Sequence, residues 1–129
     1  MSQTLTFGQQ VAFAGRNLTR GLHATLANHD MEPATWYALI TLSTYGAMPV
    51  ERLREELAQA PATASVDELV DQGLVSVSEG TAELTARGTA RFETVREAVQ
   101  ARTKQTLGRF DPADIEATRR VLQALADGD

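Results

Sequence analysis

The sequence predicts a mainly α-helical fold with one small β-hairpin, in a single domain that spans residues 1–129. The first observation is the order helix, glycine, hairpin, helix within residues 66–88, where Gly73 can adopt the left-handed conformation that often ends a helix. The second is a short β-prone run on each side of the turn residues 78–81. The third is a set of long amphipathic helices flanking this segment. Together these features are typical of a winged helix-turn-helix with long helices at both termini.

The first predicted helix covers residues 5–28, where apolar residues recur at spacings of three and four along one continuous stripe. This stripe is long for a 129-residue monomer, so we expect it to pack against a second molecule. Pro33 opens the second helix, at a position where its missing N–H costs little. The side chains predicted to face inward from the second helix are Trp36, Leu39, Ile40 and Leu42.

The remaining helices surround the hairpin. Residues 49–58 form a short third helix, and Pro61 is predicted to begin the fourth. After the hairpin, Thr85 is a suitable N-cap for a fifth helix over residues 86–108. Asp111 caps a sixth helix.

This order divides the domain into two parts. Three long helices cover residues 5–28, 86–108 and 112–126, and the winged lobe covers residues 33–88. The sixth helix, which follows Asp111, keeps apolar residues at 3-4-3 spacing, as a packing face requires. The sequence has no internal repeat and no low-complexity linker that would separate the two parts.

Composition restricts the available chemistry. The chain has no cysteine, which excludes disulfides, thiol catalysis and cysteine-ligated zinc. Its two histidines, His23 and His29, would not share a helix face, so we predict no metal site. There is no phosphate-cradling glycine loop, no H-E-x-x-H motif and no G-x-S-x-G motif, and neighbouring acidic pairs point apart on helices. We therefore predict neither a cofactor nor an enzymatic activity.

The sequence also bears on location. No apolar run approaches the ~20 residues that a membrane span needs. The opening residues MSQTLTFGQQ lack the basic and apolar regions of a secretory signal. We expect a cytoplasmic protein that has no membrane partner.

The net charge of −5 is concentrated in the middle of the chain. Residues 31–91 carry four arginines and nine acidic residues, whereas the segments before and after them are close to neutral. Because phosphate contact requires positive charge, this balance has the wrong sign for DNA binding by the winged lobe.

Several motifs, in this order and spacing, resemble those of the MarR family of regulators. Residues 66–75, V-D-E-L-V-D-Q-G-L-V, resemble the family's V-D-R-L-E-x-x-G-L-V at the end of its recognition helix. Residues 84–88, L-T-A-R-G, resemble the L-T-x-K-G that follows the family's wing. Trp36 and residues 111–115 also match the family pattern. The resemblance covers nearly the whole chain and implies a homodimer held by the first and last two helices. It further implies a repressor released by small aromatic or phenolic compounds bound between dimer core and lobe.

The sequence departs from the family where DNA would be read. The wing tip, Ser78-Glu79-Gly80-Thr81, has a glutamate and lacks the family's minor-groove arginine. The V-D-R-L arginine is Glu68 here, and the segment before Val66 is roughly two residues shorter than in the family. The candidate DNA-binding residues that remain are Thr63, Ser65, Arg52, Arg54 and Arg87. For the hydroxyls the alternative is helix capping or solvation; for the arginines it is a solvated face or helical ion pairs such as Arg52–Glu56.

The resemblance also suggests a ligand pocket. Its candidate residues are Asn17, Arg20, His23, Trp36 and Tyr37. Trp36 and Tyr37 are adjacent, so only one can point fully inward, and we expect this to be Trp36. The alternative for the three residues on the first helix is a surface face or salt bridges within the dimer.

Two functions follow from these observations. The first is a MarR-like homodimeric DNA-binding regulator of transcription that responds to a small ligand. The alternative keeps the MarR fold but has lost DNA binding, and acts as a ligand-binding or protein-interaction module. The near-complete family pattern favours the first, and the acidic winged lobe favours the second.

Overall fold

The computed structural model describes residues 4–59 and 64–128. The elements within these residues are, in chain order, α1 Phe7–Asn28, α2 Pro33–Tyr45, β1 Met48–Pro49, α3 Val50–Gln59, α4 Val66–Asp71, β2 Val75–Ser78, β3 Thr81–Leu84, α5 Ala86–Leu107 and α6 Pro112–Asp127. The predicted mainly α-helical class with a small hairpin is confirmed. Among the described residues, no helix is both long and apolar enough to cross a membrane.

The three strands form one antiparallel sheet in the order β1-β3-β2. Strands β2 and β3 are joined by a two-residue turn, in which Glu79 and Gly80 have φ angles of 52° and 77°. Two consecutive positive φ angles are typical of a type I′ turn, whose twist matches that of the flanking strands. The wing is therefore a hairpin with the shortest common loop.

Strand β1 was not predicted, because Pro49 had been placed in the third helix. In the structure Pro49 pairs with Thr81, and α3 begins one residue later at Val50. A proline is tolerated here because β1 lies at the edge of the sheet.

The fourth helix also begins later than predicted. Pro61, its predicted first residue, lies outside the described residues, but Ser65 is extended, with φ −108° and ψ 149°, and caps a helix that starts at Val66. The proline signal misled because the serine cap, closer to the first buried residue, determines where the helix starts.

The core lies between α2, the start of α5 and the sheet. Trp36 stacks on Phe92 with ring centroids 5.3 Å apart and 23° between the ring planes. Of the side chains predicted to face inward from α2, Trp36, Leu39 and Leu42 are buried, whereas Ile40 is 37% exposed. The inward prediction for Ile40 is wrong because its position lies on the side of α2 that the other described elements leave uncovered.

Two predicted N-caps are confirmed. The Thr85 hydroxyl accepts a hydrogen bond from the Gly88 N–H at 2.9 Å and donates one to the Gly73 carbonyl at 2.6 Å. It therefore ties the end of the α4 segment to the start of α5. The Asp111 carboxylate accepts a hydrogen bond from the Ala113 N–H at 2.8 Å, at the start of α6.

The terminal helices contrast with this core. Every described residue from Thr4 to Arg20 is exposed, and α6 contributes no buried residue. The apolar side chains left exposed on these two helices are Phe7, Val11, Phe13, Leu18, Val121, Leu122 and Leu125. Among the described residues, these apolar side chains of α1 and α6 thus have no element packed against them.

Candidate nucleic-acid interface

Helix α4 is the element that would read bases in a winged helix, and it is short and acidic. It has six residues, so it is about 9 Å long at 1.5 Å per residue. Val66 and Leu69 are buried in the core, whereas the exposed side carries Asp67, Glu68 and Asp71. Acidic side chains in a first turn stabilise a helix through its dipole, but they repel phosphate.

The two candidate hydroxyls have different outcomes. Thr63 lies outside the described residues. The Ser65 hydroxyl accepts a hydrogen bond from the Glu68 N–H at 3.1 Å, as an N-cap of α4. This bond uses one of the two lone pairs of the hydroxyl oxygen, and the hydroxyl proton remains available for a base or phosphate.

The capping role gives a testable prediction. We expect Ser65→Ala to lower the free energy of unfolding by about 1 kcal/mol, because the Glu68 N–H loses its acceptor. Urea denaturation followed by circular dichroism measures this change. Ser78→Ala, at an exposed position of β2, serves as the matched control and should leave the midpoint nearly unchanged. Equal midpoints for the two variants would contradict the capping role.

The wing tip offers no positive charge to a minor groove. Glu79 and Gly80 form the whole turn, and both are exposed. Glu83, on strand β3, is exposed as well. The acidic side chains of the wing therefore lie on the surface of the lobe.

The candidate arginines are partly engaged within the protein. Arg54 forms a surface ion pair with Glu51 on the same helix. For Arg52 the sequence suggests an ion pair with Glu56 as the alternative to DNA contact. In the structure the guanidinium of Arg52 lies over the ring of Tyr45 instead, 5.4 Å from the ring centroid. Such exposed contacts are weak, so these arginines can still turn towards a phosphate.

Two further arginines lie in the first two turns of α5. Arg87 is exposed, and its side chain passes close to Gly73 at the end of the α4 segment. Arg91 is half-buried and donates a hydrogen bond to the carbonyl of His29, at the end of α1. Of the two, Arg87 is therefore the one whose side chain is more accessible to a DNA phosphate, and it is the one predicted to contact DNA.

The five candidate ligand-pocket residues are distributed between surface and core. Asn17, Arg20 and His23 are exposed on α1, and Tyr37 is 45% exposed. Trp36 is buried, as predicted, and its ring packs on Phe92 of α5. A ligand pocket at these positions would therefore need a surface from a second molecule to close it.

A groove that the sequence did not predict lies beside α4. It has a volume of about 290 Å³ and is formed by α3, α4 and β2. Its lining residues are Val50, Arg54, Val66, Asp67, Val70, Asp71 and Val77. In the sequence, the only hint of this groove is Val70, an apolar residue in an acidic stretch. In the structure its side chain is 40% exposed.

Comparison with solved structures places this geometry among known folds. A MarR family protein from Bacillus stearothermophilus superposes with a TM-score of 0.82 at 24% identity, covering 93% of this chain and 90% of that one. The chain has the MarR winged-helix fold. The recognition made from the motifs is thereby confirmed at the level of the fold.

Two further structures with the MarR fold are similar. The Mycobacterium tuberculosis MarR family protein Rv2887, in complex with DNA, has a TM-score of 0.79 at 21% identity, covering 98% of this chain and 100% of that one. NadR in complex with 4-hydroxyphenylacetate has a TM-score of 0.72 at 16% identity, covering 100% of this chain and 98% of that one. No family model and no curated protein sequence matches the chain.

Proposed function

We propose that this protein is a homodimeric MarR-like regulator of transcription that acts in the cytoplasm, has no catalytic activity and contacts duplex DNA weakly. The observation that carries this proposal is the similarity of nearly the whole chain, winged lobe included, to a MarR family protein in complex with DNA. The uncovered apolar faces of α1 and α6 support the dimer, because contiguous exposed apolar surface is typical of a protein–protein interface.

The DNA contact would rest on few groups. Ser65 at the start of α4 and the arginines at 52, 54 and 87 are the polar groups available to it, together with Thr63. Exposed acids at Asp67, Glu68 and Asp71 oppose them. We therefore expect low affinity and a strong dependence on salt, since the binding energy would come from a small number of phosphate contacts.

We extend the proposal to a small aromatic ligand. A structure with this fold, NadR, is in complex with 4-hydroxyphenylacetate. In this chain Asn17, Arg20 and His23 supply exposed polar groups on α1, and Tyr37 supplies an exposed ring on α2. A second molecule covering these groups would be needed to form an enclosed ligand site.

The acidity of α4 favours a second function. A reading helix of six residues with three exposed carboxylates, followed by a two-residue wing turn, lacks the positive surface that phosphate binding needs. In this alternative the protein keeps the fold and the dimer, does not bind DNA, and acts through contacts with another protein or a ligand.

Selection from random duplex DNA at low salt, followed by a salt titration, separates the two functions. For the regulator we expect an enriched sequence, and Arg87→Ala should reduce the slope of log K against log salt by about 1, since one phosphate contact is lost. Arg96→Ala, at an exposed position of α5 outside the lobe, is the matched control and should leave the slope unchanged.

The opposite result is equally informative. Absence of both an enriched sequence and measurable binding at low salt would reject the DNA-binding regulator and leave the interaction module. A salt slope that changes equally in Arg87→Ala and Arg96→Ala would remove Arg87 as a specific phosphate contact.

A further inference from the structure

The groove beside α4 has an aliphatic floor open to solvent. Four valines from three elements converge on it: Val50, Val66, Val70 and Val77. Val70 and Val77 remain 40% and 41% exposed, although both belong to short elements packed on the core. An apolar side chain of a partner placed in the groove would contact several of these valines at once.

The rim of the groove is negatively charged. Asp67 and Asp71 lie on one side, one helical turn apart on α4. Among the described residues that line the groove, one cation, Arg54, is outnumbered by these two carboxylates, so the net charge of the lining is −1. Positive charge next to an apolar group would complement this rim.

The charge of the groove disfavours a phosphate backbone as its occupant. At about 290 Å³ the groove has room for a few side chains. A phosphate backbone would meet Asp67 and Asp71 at the rim and valines at the floor, so that neither part of the groove attracts it.

We propose that this groove binds a basic, aliphatic-anchored segment of a partner protein, an inference that deepens the interaction-module function and rests on it. An aliphatic side chain of the partner inserts between Val70 and Val77, and a Lys or Arg on each side of this anchor pairs with Asp67 and Asp71. The apolar contact supplies most of the affinity, and the charge pairs select for basic partners.

Fluorescence anisotropy with defined peptides tests this assignment. The probes are short peptides with one central Leu, Ile, Val or Met, flanked by Lys or Arg at varied spacings. Two matched sets replace the basic residues by Glu or the central residue by Ser. We expect binding only by the basic, aliphatic set, and weaker binding as salt is raised, because the rim charges are screened.

Two variants of the protein locate the binding site. Asp71→Lys and Val77→Ser should each lower the affinity for the basic peptide about tenfold. The first does so by charge repulsion and the second by loss of apolar contact. Glu97→Lys, an equal charge change at an exposed position of α5, should leave the affinity unchanged. All three positions are exposed, and circular dichroism verifies that each variant is folded.

Duplex DNA distinguishes failure of this assignment from failure of the interaction-module function. Asp71→Lys should attract DNA and repel the basic peptide, so the two affinities should change in opposite directions. Wild-type protein that binds both probes would reject the loss of DNA binding, while a peptide affinity sensitive to Val77→Ser would still support the groove. No binding by any basic peptide, or binding insensitive to both variants, would overturn the groove assignment.

Discussion

Leu125→Asp should convert the protein from a dimer to a monomer. Leu125 is 57% exposed on α6, and its neighbour Leu122 on the same face is 46% exposed. If this face is covered by a second molecule, a carboxylate there would be buried without a partner, which costs several kcal/mol per subunit. Light scattering at micromolar concentration measures the change, and the wild-type protein should give the mass of a dimer.

The control for this variant is Tyr45→Asp. Tyr45 is 63% exposed at the end of α2, in the winged lobe, so introducing a carboxylate there should leave the dimer intact. The far-UV circular dichroism of Leu125→Asp should remain helical, because α6 contributes no buried residue to the core. A monomeric wild-type protein would contradict the proposed dimer, and a dimeric Leu125→Asp variant would remove α6 from its interface.

Gly88→Ala should have the largest effect on stability. A Cβ atom built on Gly88 would lie 2.0 Å from the carbonyl oxygen of Leu74, a distance that real contacts do not reach. This carbonyl cannot simply move aside, because it accepts a hydrogen bond from the Thr85 N–H at 3.0 Å. Relief requires α5 to shift away from the hairpin, and we expect a loss of about 3 kcal/mol in the free energy of unfolding.

Chemical denaturation of Gly88→Ala compared with Thr89→Ala gives the measurement. Thr89 is the next residue of α5 and is exposed, so its replacement should change stability by less than about 0.5 kcal/mol. If both variants unfold at the wild-type midpoint, the close approach of α5 to Leu74 described here is wrong.

Local signals in the sequence predicted most of the fold. Gly73 has the positive φ angle of 77° expected at the end of a helix, and the hydroxyl of Thr85 caps α5. The start of α6 after Asp111 is also as predicted. Each of these signals acts over three or four residues, which is why pattern and capping rules are sufficient to find them.

Features that depend on distant parts of the chain were not predicted. Strand β1 exists because Met48 and Pro49 pair with β3, more than thirty residues later, and two residues carry no periodicity. The close approach at Gly88 is similar: the sequence places this glycine in the first turn of α5, but only the fold brings Leu74 against it.

The candidate site shows the same division. The negative charge of α4 and of the wing tip could be predicted from the positions of acidic residues in the sequence, and the structure places those side chains on the surface. The groove could not, since Val50, Val70 and Val77 belong to three elements and meet only after packing. The dimer interface, the ligand pocket and the DNA-contacting residues stay predictions.

The two-residue turn at Glu79 and Gly80 has a consequence for how this lobe can change over evolution. The hairpin contributes Val75 and Ala82 to the core, both in the part of the wing below its tip, whereas the tip itself is exposed. Once a loop is long enough to be flexible, each doubling of its length costs only about 0.6 kcal/mol, so most of the cost of lengthening this wing would be the loss of the type I′ turn geometry. Stability therefore places little selective pressure on the length or charge of the tip, and a lineage could gain or lose a long, basic wing without having to rebuild the domain.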